Sequence, residues 1–523
     1  MTRRVESVNI IKAENQRKEI DSNDCQESAV CAYAQGETSM AQKKQRLEQA
    51  GRFFGRCTAV LCLLLALTGL ALGVWSGRGV EAAAGVLLCL PVGWLLRKLS
   101  KEIRRLGEGK ALLLLTVLCL IWKLVWVLWA TVPPESDYKT FWDYAQQLAA
   151  RDVIWGGRYL ALFPHIFGYA WFLSGLIRMF GALPLLAPVT NALLSVCAGI
   201  LLFSIAKKRF GFETGAAAFL LWTVCPSQTI YNMFVLSEPL YTTLLLGVLA
   251  VMTAFEDKAE QCGRVRPAVS GLVAGLLLAG VNLTRPVGAI VLIGLVLWLG
   301  LVRIDGWKHP IFRRSWAVFL AVLVVSYGVL GMLGRQELAR RIGEEPASTT
   351  GFNILVGFHQ ESGGKWNWED SNTLDAVNTP DRSAQEVQEE MLERAMERIT
   401  SGEIDFPILL RDKLTTFLGS DDACAGYASS VIRHEEQVKQ LCNGFWYGIL
   451  FLAAAGCVLG IRAGERRSVQ MGYLYFIGLT MAQMLVEVAG RYHYSLLPLL
   501  ILTAAGAVMG TERGAHGVRS LQG

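Results

Sequence analysis

Apolar runs constrain this chain more than any other feature of it. They lie at 57–75, 80–97, 111–132, 159–180, 183–206, 212–228, 234–255, 268–283, 287–302, 316–334, 445–461, 468–488 and 492–510. A bilayer takes roughly 20 apolar residues per helical crossing. In lipid, every backbone N–H and C=O has to be satisfied within the helix itself. Repeated runs of this length therefore predict an all-α polytopic membrane protein with about 11–13 crossings, a few of them short. Hydrophobic residues make up 53% of the chain and the mean hydropathy is +0.37, which excludes a soluble domain of this size.

The polar remainder divides the chain. Residues 1–50 carry charge without an apolar core, so no cleavable signal is expected and the stretch reads as a disordered cytosolic tail. An accessory transmembrane hairpin and a basic cytosolic loop follow at 51–110. The transmembrane core spans 111–334, with its first outer loop at 133–158. The long polar insertion at 335–444 reads as an extracytoplasmic loop domain, and 445–523 returns to membrane helices and a short cytosolic tail. Within the insertion, Asp405 to Leu418 is patterned as an amphipathic helix able to rest on the membrane.

The net charge of +6 is not a nucleic-acid signal, because the basic residues cluster in short connections. These are Arg97 to Arg105, Lys207 to Arg209, Arg303 to Arg314 and Arg462 to Arg467, and such clusters mark the cytosolic side. The chain then reads as a multi-pass protein of the cell membrane with both termini cytosolic, and with 133–158, 335–444 and the start of the last span outside. One conflict stands. Six apolar runs between 159 and 302 cannot all cross, so one is re-entrant or two fuse. Asn282-Leu283-Thr284-Arg285-Pro286 is the favoured site of irregular backbone.

Several polar residues stand at the edges of these runs. Pro133 and Pro134 end the helix from Ala111. Tyr138, Phe141, Trp142, Ala145, Leu148 and Ala149 then fall on one helical face, as in a helix lying flat at the interface. Asp137, at its start, has two readings: a general base for an attacking hydroxyl, or a helix cap shared with Ser136. Glu238 is either a functional carboxylate at membrane depth or a first-turn residue beside Pro239. Arg285, at a helix break, suits a phosphate or carboxylate ligand, or else an internal ion pair. Arg491 offers a second phosphate-binding guanidinium, against pairing with Glu487 four residues earlier. Tyr492, His493 and His165 are further binding candidates, with ordinary packing as the alternative for the histidines. Lys123 needs a partner inside the bundle. The loop residues Gly357, Gly363, Gly364, Trp366, Asn367, Trp368, Glu369 and Asp370 suit sugar or peptide recognition, or form a plain loop. Cys424 and Cys442 lie in the polar insertion, where a disulfide requires an oxidising space.

In their order along the chain these pieces resemble the GT-C superfamily, and within it the bacterial family 39-like branch related to protein O-mannosyltransferases and aminoarabinose transferases. The matching pieces are Glu135-Ser136-Asp137-Tyr138, Phe163-Pro164-His165, Leu236 to Tyr241, Leu283 to Pro286, Gly363 to Asp370 with Lys413, and Arg491-Tyr492-His493-Tyr494. The resemblance implies a GT-C-type bundle and an inverting glycosyltransferase. Such an enzyme moves a sugar from a polyprenyl-phosphate donor to a glycan, lipid or protein acceptor on the outer face of the membrane. It implies Asp137 as the catalytic carboxylate, and Arg285 and Arg491 at the donor phosphate. Its partners would be the lipid-linked donor, the acceptor and the bilayer, with no nucleic acid. A divalent cation is compatible with this chemistry, and a phosphate-linked sugar needs no nucleotide. The departures are Ser136 between Glu135 and Asp137, where protein mannosyltransferases carry adjacent Asp-Glu, and the extra helical pair at 57–97. The alternatives are a transporter or flippase of lipid-linked glycans and a non-catalytic cell-envelope assembly protein.

Overall fold

The computed structural model describes residues 42–151, 153–260, 263 and 265–510, and among them it is all-helical. The chain is an all-α polytopic membrane protein. Most of the expected N-terminal tail lies outside the described residues. Its last part, from Gln42, belongs to the first span, Gln42–Trp75.

Among the described residues, nine helices are long and apolar enough to cross a membrane: Gln42–Trp75, Gly79–Arg105, Glu108–Trp129, Leu186–Phe210, Glu238–Glu256, Val265–Thr284, Pro310–Ile342, Glu435–Ala463 and Gly490–Met509. Phe212–Val224 and Gly288–Val302 are shorter and apolar. The contacts at the ends of the second show that it runs the full depth of the bundle. Gly288–Val302 starts just after Arg285, which bonds Glu238, and stops at Arg303, which bonds Glu256. Those carboxylates stand at opposite ends of one helix, about 27 Å apart at 1.5 Å per residue. Gln470–Leu485 likewise joins Ser468, bonded to Glu256, to Glu487 at the far end.

The surplus run among the six is 159–180. Pro164 breaks it into Arg158–Leu162 and His165–Phe180. The second piece lies alongside Ser136–Ala150 in the same direction. Phe141 and Tyr169 meet edge to face with centroids 5.1 Å apart, and Arg178 donates to the carbonyls of Leu148 and Ala149. It starts beside Leu283, and the next helix, Leu186–Phe210, begins near Phe234, whose carbonyl accepts from Asn191 at 2.7 Å, so both ends of His165–Phe180 lie at the Glu238 end of the bundle. Its apolar face is spent on protein: Ile166, Phe167, Tyr169, Ala170, Leu173 and Ile177 are buried. Irregular backbone does occur at Arg285 to Val287, but the helices on either side both traverse.

Buried polar groups tie the bundle at depth. Lys123 is fully buried and donates to Gln228 Oε1, to Thr229 Oγ1 at 2.6 Å and to Trp222 O at 3.4 Å. All three partners are acceptors, so the ammonium is fully used where Phe212–Val224 ends, and the negative end of that helix favours it. Lys123 is thus a structural residue. At the end away from Glu238, Arg209 bonds Glu256 at 2.6 Å and Asp257 at 2.7 Å, and Arg303 takes the other Glu256 oxygen at 2.5 Å. Close helix crossings use small residues. A Cβ on Gly85 would stand 2.1 Å from Gly444 O.

The insertion packs over the Glu238 end as short helices. Ser383 and Glu386 form a capping box on Ala384–Thr400. Lys413 is buried and donates to Gly357 O at 2.8 Å, Met484 O at 3.0 Å and Val486 O at 2.7 Å, which pins the insertion to the bundle.

Candidate functional site

The site is assembled where four chain segments meet at the insertion-covered end. Asp137 stands in the first turn of Ser136–Ala150. No side chain caps that helix, and Ser136 takes φ +49°, a left-handed conformation that costs a non-glycine residue energy. The Asp137 carboxylate is therefore not used as a cap. It accepts a hydrogen bond from Arg491 Nη2, and 46% of its side chain remains exposed.

Arg491 lies in the 3₁₀ turn Gly490–Leu496 that opens the last span. Glu487 lies before this turn, on backbone that is extended at Val486 and Ala489, so the helical i, i+4 pair with Arg491 does not form. Its Nε lies 3.8 Å from Glu238 Oε1, too far for a hydrogen bond, and this buried N–H has no acceptor. Its guanidinium lies against the rings of Tyr138 (5.7 Å), Tyr492 (5.7 Å) and Tyr427 (6.0 Å). Arg285 donates to Glu238 Oε1 at 2.7 Å and sits 5.3 Å from the Tyr492 ring. Glu238 is fully buried and also accepts from Ser237 Oγ at 3.1 Å. The result is an alternating array, Asp137–Arg491–Glu238–Arg285, open to the surface at Asp137.

Charge in the array shifts its neighbours. Burial raises the Asp137 pKa, but the Arg491 charge and hydrogen bond, with the Arg285 charge beyond, outweigh it and hold the carboxyl below its ordinary value. Glu487 accepts from Tyr492 OH at 3.2 Å, and burial, reinforced by Asp137 and opposed by Arg491, raises its pKa. Burial and then the Arg285 charge push His165 down to about 3, so that imidazole is neutral beside the array.

The structure thus brings together Asp137, Glu238, Arg285, Arg491 and Tyr492, with His165 nearby. It places His493 elsewhere. That ring is fully buried, stacked on Trp446 at 4.6 Å, and held by Phe417 O at 2.7 Å and Asp421 Oδ1 at 2.9 Å. In the Gly363 to Asp370 stretch, Asp370 is buried in a two-pronged pair with Arg398, and Asn367 caps the helix that follows. Trp366 and Trp368 remain exposed. Tyr427 and Tyr138 line Arg491 without having been singled out as binding residues. Tyr138 carried a signal, its adjacency to Asp137 on the apolar face. Tyr427 carried none. Among the described residues, no group of three or more His, Cys, Asp or Glu side chains is placed to hold a metal ion.

No family model and no curated protein matches the chain. Solved structures do. ArnT from Cupriavidus metallidurans bound to undecaprenyl phosphate matches at 13% identity and a TM-score of 0.34, over 77% of this chain and 78% of that one. The archaeal oligosaccharyltransferase AglB from Archaeoglobus fulgidus, in complex with an inhibitory peptide and a dolichol-phosphate, matches at 12% identity and a TM-score of 0.40. That match covers 78% of this chain and 51% of AglB. The apo form of ArnT gives 14% identity and a TM-score of 0.31, over 76% of this chain and 77% of that one. These are distant likenesses.

Proposed function

We propose that this protein is a GT-C-type membrane glycosyltransferase that moves a sugar from a polyprenyl-phosphate donor to an acceptor hydroxyl on the outer face of the membrane. One observation carries the reading: the Arg491 Nε–H is buried without an acceptor, between two carboxylates and beside a second arginine. A phosphodiester oxygen supplies that acceptor, and the guanidinium fork suits phosphate. A helix rim at the membrane surface suits a substrate with one apolar end and one hydrated end.

The array also gives a sequence of events. Unliganded, Asp137 is a poor base, because Arg491 holds it ionised. Donor phosphate competes for Arg491 and loosens it from Asp137, whose basicity then rises. The acceptor hydroxyl gives its proton to Asp137 and attacks the anomeric carbon from the side opposite the phosphate. The bond from that carbon to the phosphate oxygen breaks, and the configuration inverts. The lipid phosphate leaves with one more negative charge, facing Arg491 and Arg285. Glu238 keeps both arginines in place between turnovers.

The test is Asp137→Asn, assayed by mass-spectrometric transfer from a panel of polyprenyl-phosphate sugars. General-base loss lowers turnover by about 10²–10⁴-fold with lipid-phosphate binding retained. Parental turnover in the purified, folded variant would overturn the assignment.

A further inference from the structure

We infer that Cys424 and Cys442 are a disulfide site that staples the tyrosine wall of Arg491 to the bundle. Both side chains are fully buried, and their sulfurs lie 3.8 Å apart. Cys424 belongs to the short helix Ala423–Tyr427 and Cys442 to the span Glu435–Ala463. The two backbones are held in register beside the pair: Asn443 Oδ1 accepts from Asp421 N at 2.9 Å, and Asn443 Nδ2 donates to Asp422 at 3.0 Å. The thiols therefore face each other from two anchored segments. Sulfurs in contact need only a modest side-chain adjustment to reach bonding distance.

Position gives the staple its use. Three residues after Cys424, Tyr427 meets Tyr138 edge to face at 5.8 Å and lies 6.0 Å from the Arg491 guanidinium. Three residues before it, Asp421 holds His493 at 2.9 Å and Ser227. A covalent link at Cys424 fixes both contacts, and with them the wall against which Arg491 is set.

The step is thiol–disulfide exchange with a protein disulfide of the cell envelope. One thiolate attacks the oxidant's disulfide and releases one of its sulfurs as a thiol. The second thiolate displaces the other sulfur and closes the Cys424–Cys442 bond. Two protons and two electrons pass to the oxidant, which leaves as a dithiol. Burial of both sulfurs places this step before the insertion packs down. The inference rests on the reading that this end of the bundle faces outward, where such oxidants act.

The experiment maps thiols in the full-length protein, in membranes from cells grown without added reductant. Free thiols are alkylated in denaturant, and peptides are analysed by mass spectrometry before and after reduction. The expected result is a cross-linked peptide pair carrying Cys424 and Cys442 that separates on reduction. Reductant should also lower the melting temperature and raise KM for the lipid donor several-fold, and a Cys424→Ser, Cys442→Ser double variant should show both effects and no response to reductant. Alkylation of both cysteines without prior reduction overturns the inference. Ser401→Cys, on the exposed surface of the insertion, separates the two premises in intact cells. If a membrane-impermeant maleimide labels it while Cys424 and Cys442 are free, the staple fails with the orientation intact. If it is not labelled, the orientation fails and takes the staple with it.

Discussion

Asp137 in the array and Glu487 beside it have pKa values displaced in opposite directions, so their effects on stability have opposite signs. Asp137 has a lowered folded pKa. Its contribution is present above the unfolded pKa and is lost as pH falls through the folded one. Glu487 has a raised folded pKa. Ionising it in the folded state costs stability, and that cost grows as pH rises from the unfolded pKa to the folded one. Glu487→Gln should therefore raise the melting temperature at neutral pH by roughly 2–4 °C. The gain should vanish below the ordinary glutamate range, and a melting series over pH measures it. A gain that persists in acid would mean that packing, not charge, is responsible. Arg491→Lys probes the cationic side of the array. Lysine brings one compact charge without the Nε donor or the planar fork. Transfer should fall about a hundredfold in kcat/KM, while Arg285→Lys, which can keep the ion pair with Glu238, should cost less. Equal losses in the two variants would argue against Arg491 as the main phosphate contact.

At the scale of helices, the sequence pattern was legible where one face meets protein and the other meets water. Of the face forecast for the helix after Asp137, Tyr138, Phe141, Ala145 and Leu148 are buried and Trp142 and Ala149 are half-buried. Tyr144 was not on it, yet it is buried with its hydroxyl on Gly156 O at 3.1 Å, a contact made by the returning chain. Hydropathy failed at 159–180, because a helix buried against protein needs the same apolar residues as one buried in lipid. What distinguishes His165–Phe180 is a backbone approach that hydropathy does not encode. A Cβ on Gly168 would stand 2.0 Å from Leu283 O, two residues before Arg285. Gly168→Ala should push the helix from Leu283 and displace Arg285 from Glu238. The expected outcome is weaker lipid-phosphate binding together with a lower melting temperature, measured on purified protein. Unchanged binding would show that the Arg285 turn is held independently of this contact.

Across the whole molecule, two charged assemblies stand at the two ends of Glu238–Glu256, and their separation makes their roles separable. Most of the members of the site were visible in the sequence because an ionisable residue beside a long apolar run is conspicuous. Their partnership was not, since Asp137 and Arg491 are 354 positions apart and only the folded bundle joins them. Glu256 was passed over for the complementary reason: at the end of an apolar run it resembles any residue leaving the membrane. In the fold it is buried between Arg209 and Arg303 and also accepts the Ser468 N–H at 2.9 Å. Glu256→Gln leaves two guanidinium groups without their shared carboxylate. Breaking a buried pair by removing one partner costs about 3–5 kcal/mol. Folded yield and melting temperature should fall, but the fraction that folds should transfer sugar at near-parental turnover, because the array at Asp137 lies a full membrane depth away. A variant that melts normally but has lost turnover would show that the two ends are coupled and that the network helps set the geometry around Arg491.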